Sequence, residues 1–230
     1  MELSIDTSTR YASVGLSRQG ETVAELAWHS ERNHSVELVP AIRRLLEHGG
    51  IGVEDVTAIF LAVGPGGFSA LRVGMSTAVS LSTARGIPLV AIGTLQIEAQ
   101  PYLRLGGDVR AIIGGGRTRL YVGSYPADSP VSEGEIDLME HGAFLDSLSA
   151  EAIYCGEAAP TMASAIRERL GDAARIIDAT SPTRHASAIA RLGHQRLEAG
   201  DVADAVNLEP IYLRSSQVNS AARRWAQDTS

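Results

Sequence analysis

The sequence predicts an α/β fold made of two related halves, and three observations predict it. The first is a strand, turn, helix, strand unit. It comprises an apolar run at 58–63, the loop Gly64-Pro65-Gly66-Gly67, a helix at 68–84 closed by Gly86, and a second apolar run at 87–91. The second is an opening meander: short alternating segments at 3–5, 11–17 and 22–28, joined by turns at Asp6-Thr7-Ser8-Thr9 and at Gly20. The third is that this pattern starts again past Gly106 and Gly107, with segments at 109–113, 120–125 and 134–139.

The first strand ends at Asp6 and three hydroxyl residues, a composition that turns a chain. A turn of this kind can cup a phosphate with its backbone N–H groups while the carboxylate holds the water of a magnesium ion. It can equally be a turn that hydrogen-bonds only to itself. A helix at 36–48 follows the meander. Leu38, Val39, Ile42, Leu45 and Leu46 form its apolar stripe, Arg43, Arg44 and Glu47 face water, and Gly49-Gly50 stops it. Pro40 falls early in it, in the first turn or at a kink. His34 sits near its start. With no His-x-x-x-His pair in the chain, its expected role is local hydrogen bonding.

Glu54 and Asp55 lead into the strand at 58–63, and the helix that follows has an unusual face. Between Phe68 and Ala84 its one charge is Arg72. A helix lying on one face of a sheet shows water a charged stripe. Here Ser and Thr stand in those places. Ala70, Gly74, Ala78 and Ser82 recur at i, i+4, beside Leu71, Met75 and Val79. The helix is either buried in its own domain or carries a subunit interface on its outer side. A helix at 94–103 precedes a boundary at Gly106-Gly107-Asp108.

In the second half the turn at 114–118 holds three glycines and Arg117, with no carboxylate in the place of Asp6. A strand at 152–155, a helix at 160–170, a strand at 174–177 and a helix at 186–199 complete it. An extended segment at 207–214 leads to a polar end bearing Arg223, Arg224 and Trp225. The expected domains are 1–106 and 107–214, with a tail at 215–230.

Composition excludes several classes. A net charge of −7 argues against the chain gripping nucleic acid by itself. Its single cysteine, Cys155, rules out an internal disulfide and a cysteine zinc cluster, and fits a reducing compartment. Cys155 follows a strand and reads as a buried structural thiol. The start lacks a signal-peptide profile and no apolar run reaches membrane length, so a soluble cytoplasmic protein is expected. The glycine loop at 64–67 lacks the lysine of a Walker motif, and no Gly-x-Ser-x-Gly elbow occurs. We therefore expect no catalytic residues, no metal site and no cofactor.

Five stretches carry a family resemblance. They are Ile5-Asp6-Thr7-Ser8-Thr9, His34-Ser35-x-x-Leu38-x-Pro40, Gly64-Pro65-Gly66-Gly67-Phe68-Ser69-x-Leu71-Arg72-x-Gly74, Gly86-Ile87-Pro88-Leu89-Val90, and Pro210-x-Tyr212-Leu213-Arg214. In this order they extend over nearly the whole chain, the third being the most specific, and they resemble the TsaB (YeaZ) family. That family is the non-catalytic member of the bacterial machinery making threonylcarbamoyladenosine in tRNA. The resemblance implies a two-lobed actin, sugar-kinase and Hsp70-like (ASKHA) fold with duplicated RNase H-like lobes. It implies a scaffold that binds and activates a catalytic paralogue, TsaD, which modifies adenosine 37. A TsaE-like ATPase would join them, tRNA would be met only through the complex, and the chain alone would form a homodimer.

The resemblance also implies an interface on the two long helices, here Leu38, Ile42, Leu45, Ala70, Leu71, Gly74, Met75 and Ala78. On that mapping Gly74→Arg should block the partner and leave the chain folded. Asp6, Thr7, Ser8 and Thr9 become a vestigial phosphate loop. Gly115-Gly116-Arg117 departs from the family's Asp-Ala-Arg-like turn by losing the acid, which weakens nucleotide chemistry here. The alternative is an ATP-using enzyme of the same fold with Asp6 in an inter-lobe cleft. A third reading, a peptidase after an old label on the wider family, finds no nucleophile or metal set in the sequence.

Overall fold

The structure, a computed structural model, describes residues 1–127 and 134–213. Arg214 and the expected tail at 215–230, with Arg223, Arg224 and Trp225, lie outside the described residues. The described residues divide into two compact units, one of Met1–Ile97 with Arg184–Pro210 and one of Glu98–Thr183 with 211–213.

The first unit opens with the meander: β1 (Glu2–Asp6), β2 (Tyr11–Arg18) and β3 (Glu21–His29). Then come α1 (His34–His48), β4 (Ala58–Ala62), α2 (Phe68–Arg85) and β5 (Leu89–Ile92). The sheet runs β3-β2-β1-β4-β5. Ile5 of β1 faces Val14 across an antiparallel pair and Leu61 across a parallel one. Parallel β4 and β5 are bridged by α2. All five residues of β1 and of β4 are buried, which is why β4 reads as an unbroken apolar run.

Helices cover both faces of this sheet. Leu16 reaches Gly49 at the end of α1, while a Cβ on the neighbouring Gly15 would overlap Ala186 at the start of α6 (Ala186–Glu198). Adjacent strand residues point to opposite faces, so α1 and α2 share one face and α6 takes the other. On β1 the same alternation sends Leu3, Ile5 and Thr7 toward the α1–α2 side. It leaves Glu2, Ser4 and Asp6, all buried, beneath α6.

The second unit repeats the plan. It holds β6 (Val109–Gly114), β7 (Arg119–Tyr125), β8 (Glu135–Glu140), α4 (His141–Asp146), β9 (Ile153–Cys155), α5 (Ala159–Leu170) and β10 (Arg175–Ile176). Its sheet runs β8-β7-β6-β9-β10, with β6–β7 and β7–β8 antiparallel and β9 parallel to both β6 and β10. Ile112, Leu120, Val122, Phe144, Tyr154, Met162 and Ile166 fill its core. Two sheets of one strand order bear out the duplication read from the halves, and they have the RNase H-like architecture that the resemblance implies.

The division of the chain differs from the expected domains at 1–106 and 107–214. α3 (Thr94–Ala99) carries the chain out of the first unit at Ile97, and Arg184 to Pro210 returns to it. The cause is the buried stripe of α6: Ala186, Ile189, Ala190 and Gly193 need a sheet face, and they cover the open face of β1–β5. Gly106 and Gly107 form a turn inside the second unit, both at positive φ, and mark no boundary. α4 was not expected, since its six residues are too short to show a helical period. Among the described residues no helix is long and apolar enough to cross a membrane.

Candidate functional site

The turn after β1 is where the motifs meet. Asp6, Thr7 and Ser8 are fully buried, and their side chains are hydrogen-bonded within the first unit. Asp6 Oδ1 accepts from the Ser8 backbone N–H at 2.8 Å and from the Ser8 hydroxyl. Asp6 Oδ2 accepts from Arg184 Nε at 2.7 Å, in an ion pair whose side chains are 1% and 2% exposed. The same guanidinium donates to Thr9 Oγ1 at 2.6 Å and to the Tyr11 carbonyl at 3.2 Å. Thr7 Oγ1 donates to the Ala70 carbonyl at 2.7 Å, and the Ser8 carbonyl accepts from Gly67 N at 2.7 Å. His34 is buried, with Nε2 at 2.9 Å from the Thr9 carbonyl and Nδ1 at 3.3 Å from Ser30 Oγ. A carbonyl can only accept, so Nε2 carries the proton and His34 makes the local hydrogen bonds expected of it.

The glycine loop belongs to this packing. A Cβ at Gly66 would run into the Ser8 carbonyl, and one at Gly74 into Thr7 Oγ1. The IDTST turn, His34 and the GPGGFSALRVG block are thus one assembly. Its glycines are small so that α2 can lie against the turn. A phosphate cup needs free N–H donors and an acid open to a cation. This turn has its acid neutralised and its hydroxyls bonded. Arg184 was not singled out by the sequence reading. A signal existed: Glu2 and Asp6 alternate with Leu3 and Ile5 in a strand of core character, and buried acids require partners. Glu2 finds His194 at 3.1 Å and Ser17 Oγ at 2.6 Å.

The residues mapped to an interface mostly face the first unit's own core. Leu38, Ile42, Leu45, Leu71, Gly74, Met75 and Ala78 are buried within the isolated chain, and Ala70 is half-buried. An amphipathic helix turns its apolar stripe to its own sheet first, and these stripes do so. Ile42 alone among them also lines the groove between the two helices. Gly74→Arg would therefore break the packing on Thr7, contrary to the expectation of a folded but unbound chain. The outward side of α1 and α2 carries a different set. Val36 is 69% exposed, Val39 59% and Phe68 54%, with Arg72 stacked 4.1 Å over the Phe68 ring. Val39, Ile42, Leu46, Ile51, Thr77 and Leu81 line an open groove of about 660 Å³. Arg43 and Glu47 pair along α1 at 2.9 Å. Hydrogen bonds from Ser30 and Trp28 hold the Glu37 carboxylate below the usual range, the Trp28 Nε1 donor lying 2.9 Å away.

Elsewhere the chemistry is structural. Cys155 is buried, and burial pushes its thiol well above the ordinary range, with Glu98 adding to the rise. Such a thiol is a poor nucleophile. No cluster of metal-ligating side chains occurs among the described residues.

Comparison with known proteins extends these observations. A family model described as "TsaD: tRNA N6-adenosine threonylcarbamoyltransferase" matches residues 28–140. The chain is 26% identical to the tRNA threonylcarbamoyladenosine biosynthesis protein TsaB of Bacillus subtilis (strain 168), over 98% of this chain and 97% of that one. It is 36% identical to the tRNA N6-adenosine threonylcarbamoyltransferase of Anaeromyxobacter dehalogenans (strain 2CP-C), over 45% of this chain and 32% of that protein. Among solved structures, YeaZ from Pseudomonas aeruginosa matches with a TM-score of 0.75 at 25% identity, covering 92% of this chain and 99% of that one. The likeness to the Bacillus subtilis TsaB and to the YeaZ structure is chain-long, while the likeness to the transferase is confined to a segment.

Proposed function

We propose that this chain, related along its whole length to the TsaB (YeaZ) family, is the non-catalytic subunit of the machinery forming threonylcarbamoyladenosine in tRNA. It binds a TsaD-like transferase and supports its activity, with a TsaE-like ATPase joining the complex and tRNA met only through that assembly. The observation that carries the non-catalytic reading is the Asp6–Arg184 pair. The carboxylate that phosphoryl chemistry would require is buried and bound to the protein's own cation. The alternative of an ATP-using enzyme rests on that same carboxylate and finds no other support among the described residues.

The outward side of α1 and α2 is the docking surface in this reading. Exposed Val36, Val39 and Phe68, and the groove lined by Val39, Ile42, Leu46, Ile51 and Leu81, support it. In the absence of the partner, the same surface would serve a homodimer. The complex works in the cytoplasm on this account.

The test is a reconstituted modification of unmodified tRNA, from purified transferase, ATPase and a supply of threonylcarbamoyl donor. Modified adenosine should accumulate with this chain present and fall to background without it. Equal yields in both reactions would refute the proposal.

A further inference from the structure

A carboxylate at a strand end beside three hydroxyls is an oxygen-rich donor set suited to a hard divalent cation and its phosphate. Asp6, Thr7, Ser8 and Thr9 have that composition. The residues around them do not fit such a ligand. Arg184 already lies on Asp6 Oδ2, and both side chains are almost wholly out of water. A second cation could enter only by displacing the guanidinium.

We infer that Arg184 is the resident cation of this turn, a guanidinium standing in charge where a magnesium–phosphate ligand would bring a metal. The buried carboxylate needs a compensating positive charge. It is supplied from the far end of the sequence, as the chain re-enters the first unit ahead of α6. A guanidinium suits the task because its donors are fixed in a plane and cannot be deprotonated. Here they reach a carboxylate, a hydroxyl and a carbonyl: Asp6, Thr9 and Tyr11. Those three oxygens are groups a divalent cation also takes as ligands. The turn is therefore closed to metal and nucleotide by a side chain of its own protein, and closing it fastens the return segment to β1. This inference is independent of any role in tRNA modification.

The test uses Mn²⁺ alone as the probe and thermal unfolding as the readout. Wild type should show no Mn²⁺-dependent shift in its midpoint. Arg184→Gln should melt lower, and millimolar Mn²⁺ should restore several degrees of the loss, because the vacated carboxylate then binds the ion. Asp6→Asn/Arg184→Gln, with no acid in the turn, should ignore Mn²⁺. If Arg184→Gln is unfolded by itself, Mn²⁺ should refold it. Arg184→Lys, which retains a charge, should remain insensitive to the metal. An Arg184→Gln chain that Mn²⁺ neither stabilises nor refolds would overturn the inference, leaving Arg184 a structural partner and nothing more. A wild-type midpoint that rises with Mn²⁺ through Asp6 would overturn it as well, since the turn would then be open.

Discussion

Thr7 packs against Gly74 where the first turn meets α2. Thr7 Oγ1 donates to the Ala70 carbonyl from a position that a Cβ on Gly74 would invade. Gly74→Ala should therefore cost about 1–3 kcal/mol, the usual range for overpacking a tight core. Thr7→Ala/Gly74→Ala should be less destabilised than the sum of the two single variants, because deleting Oγ1 removes the clash. Urea unfolding of the four proteins checks this, and strict additivity would show that the two positions do not interfere. At Asp6 and Arg184 the energetics are steeper. Removing one partner of a buried ion pair costs about 3–5 kcal/mol, a large part of the total of about 5–15 kcal/mol that holds a domain folded. An Asp6→Asn variant thus reports on folding before it reports on chemistry. Composition alone made Asp6 a phosphate-loop candidate. That Asp6 needs a partner was legible in its strand; which cation supplies it was not, because Arg184 is distant in sequence and belongs to no periodic pattern.

The helices show how far pattern reading reaches. Both long helices were legible, as was the closing glycine of α2, which sits in the left-handed conformation at φ 62. Of the two readings of α2, burial in its own domain accounts for Leu71, Gly74, Met75 and Ala78, which are core. The absence of charge between Arg72 and Arg85 of α2 was the informative feature. Its outward Ser76 and Ser80, with Leu81 beside them, line the groove where an ordinary surface helix would carry Lys or Glu. On α1, Glu37 ties the helix to Trp28 of β3. Its carboxyl titrates lower in the folded chain than in the unfolded one, so its contribution to stability is present above the unfolded value and lost as pH falls through the folded value. Wild type should exceed Glu37→Gln in urea midpoint at neutral pH, by a small margin since the group is solvent-screened. That margin should close in acid. A margin constant across the titration would show that the Ser30 and Trp28 hydrogen bonds do not favour the charged form.

At the scale of the molecule, the repeated meander revealed the duplication, and each unit has a sheet of the same strand order. The return of α6 to the first unit was not legible. Sequence order placed it with the second half, and only the unfilled sheet face over Glu2, Ser4 and Asp6 explains where it packs. The first unit thus presents α6 on one face and, on the other, an α1–α2 pair whose outward side is uncharged along much of α2 and apolar at Val36, Val39 and Phe68. On the function proposed above, the protein acts by docking this side against a transferase. The most direct measurement is Val39→Glu, assayed in parallel for unfolding, for binding to the TsaD-like transferase, and for modification of tRNA. Val39 is exposed, so stability should stay within about 0.5 kcal/mol of wild type. Binding and modification should both fall by tenfold or more, a loss of about 1.4 kcal/mol at the interface. A folded Val39→Glu protein that binds and supports modification as wild type does would contradict the account.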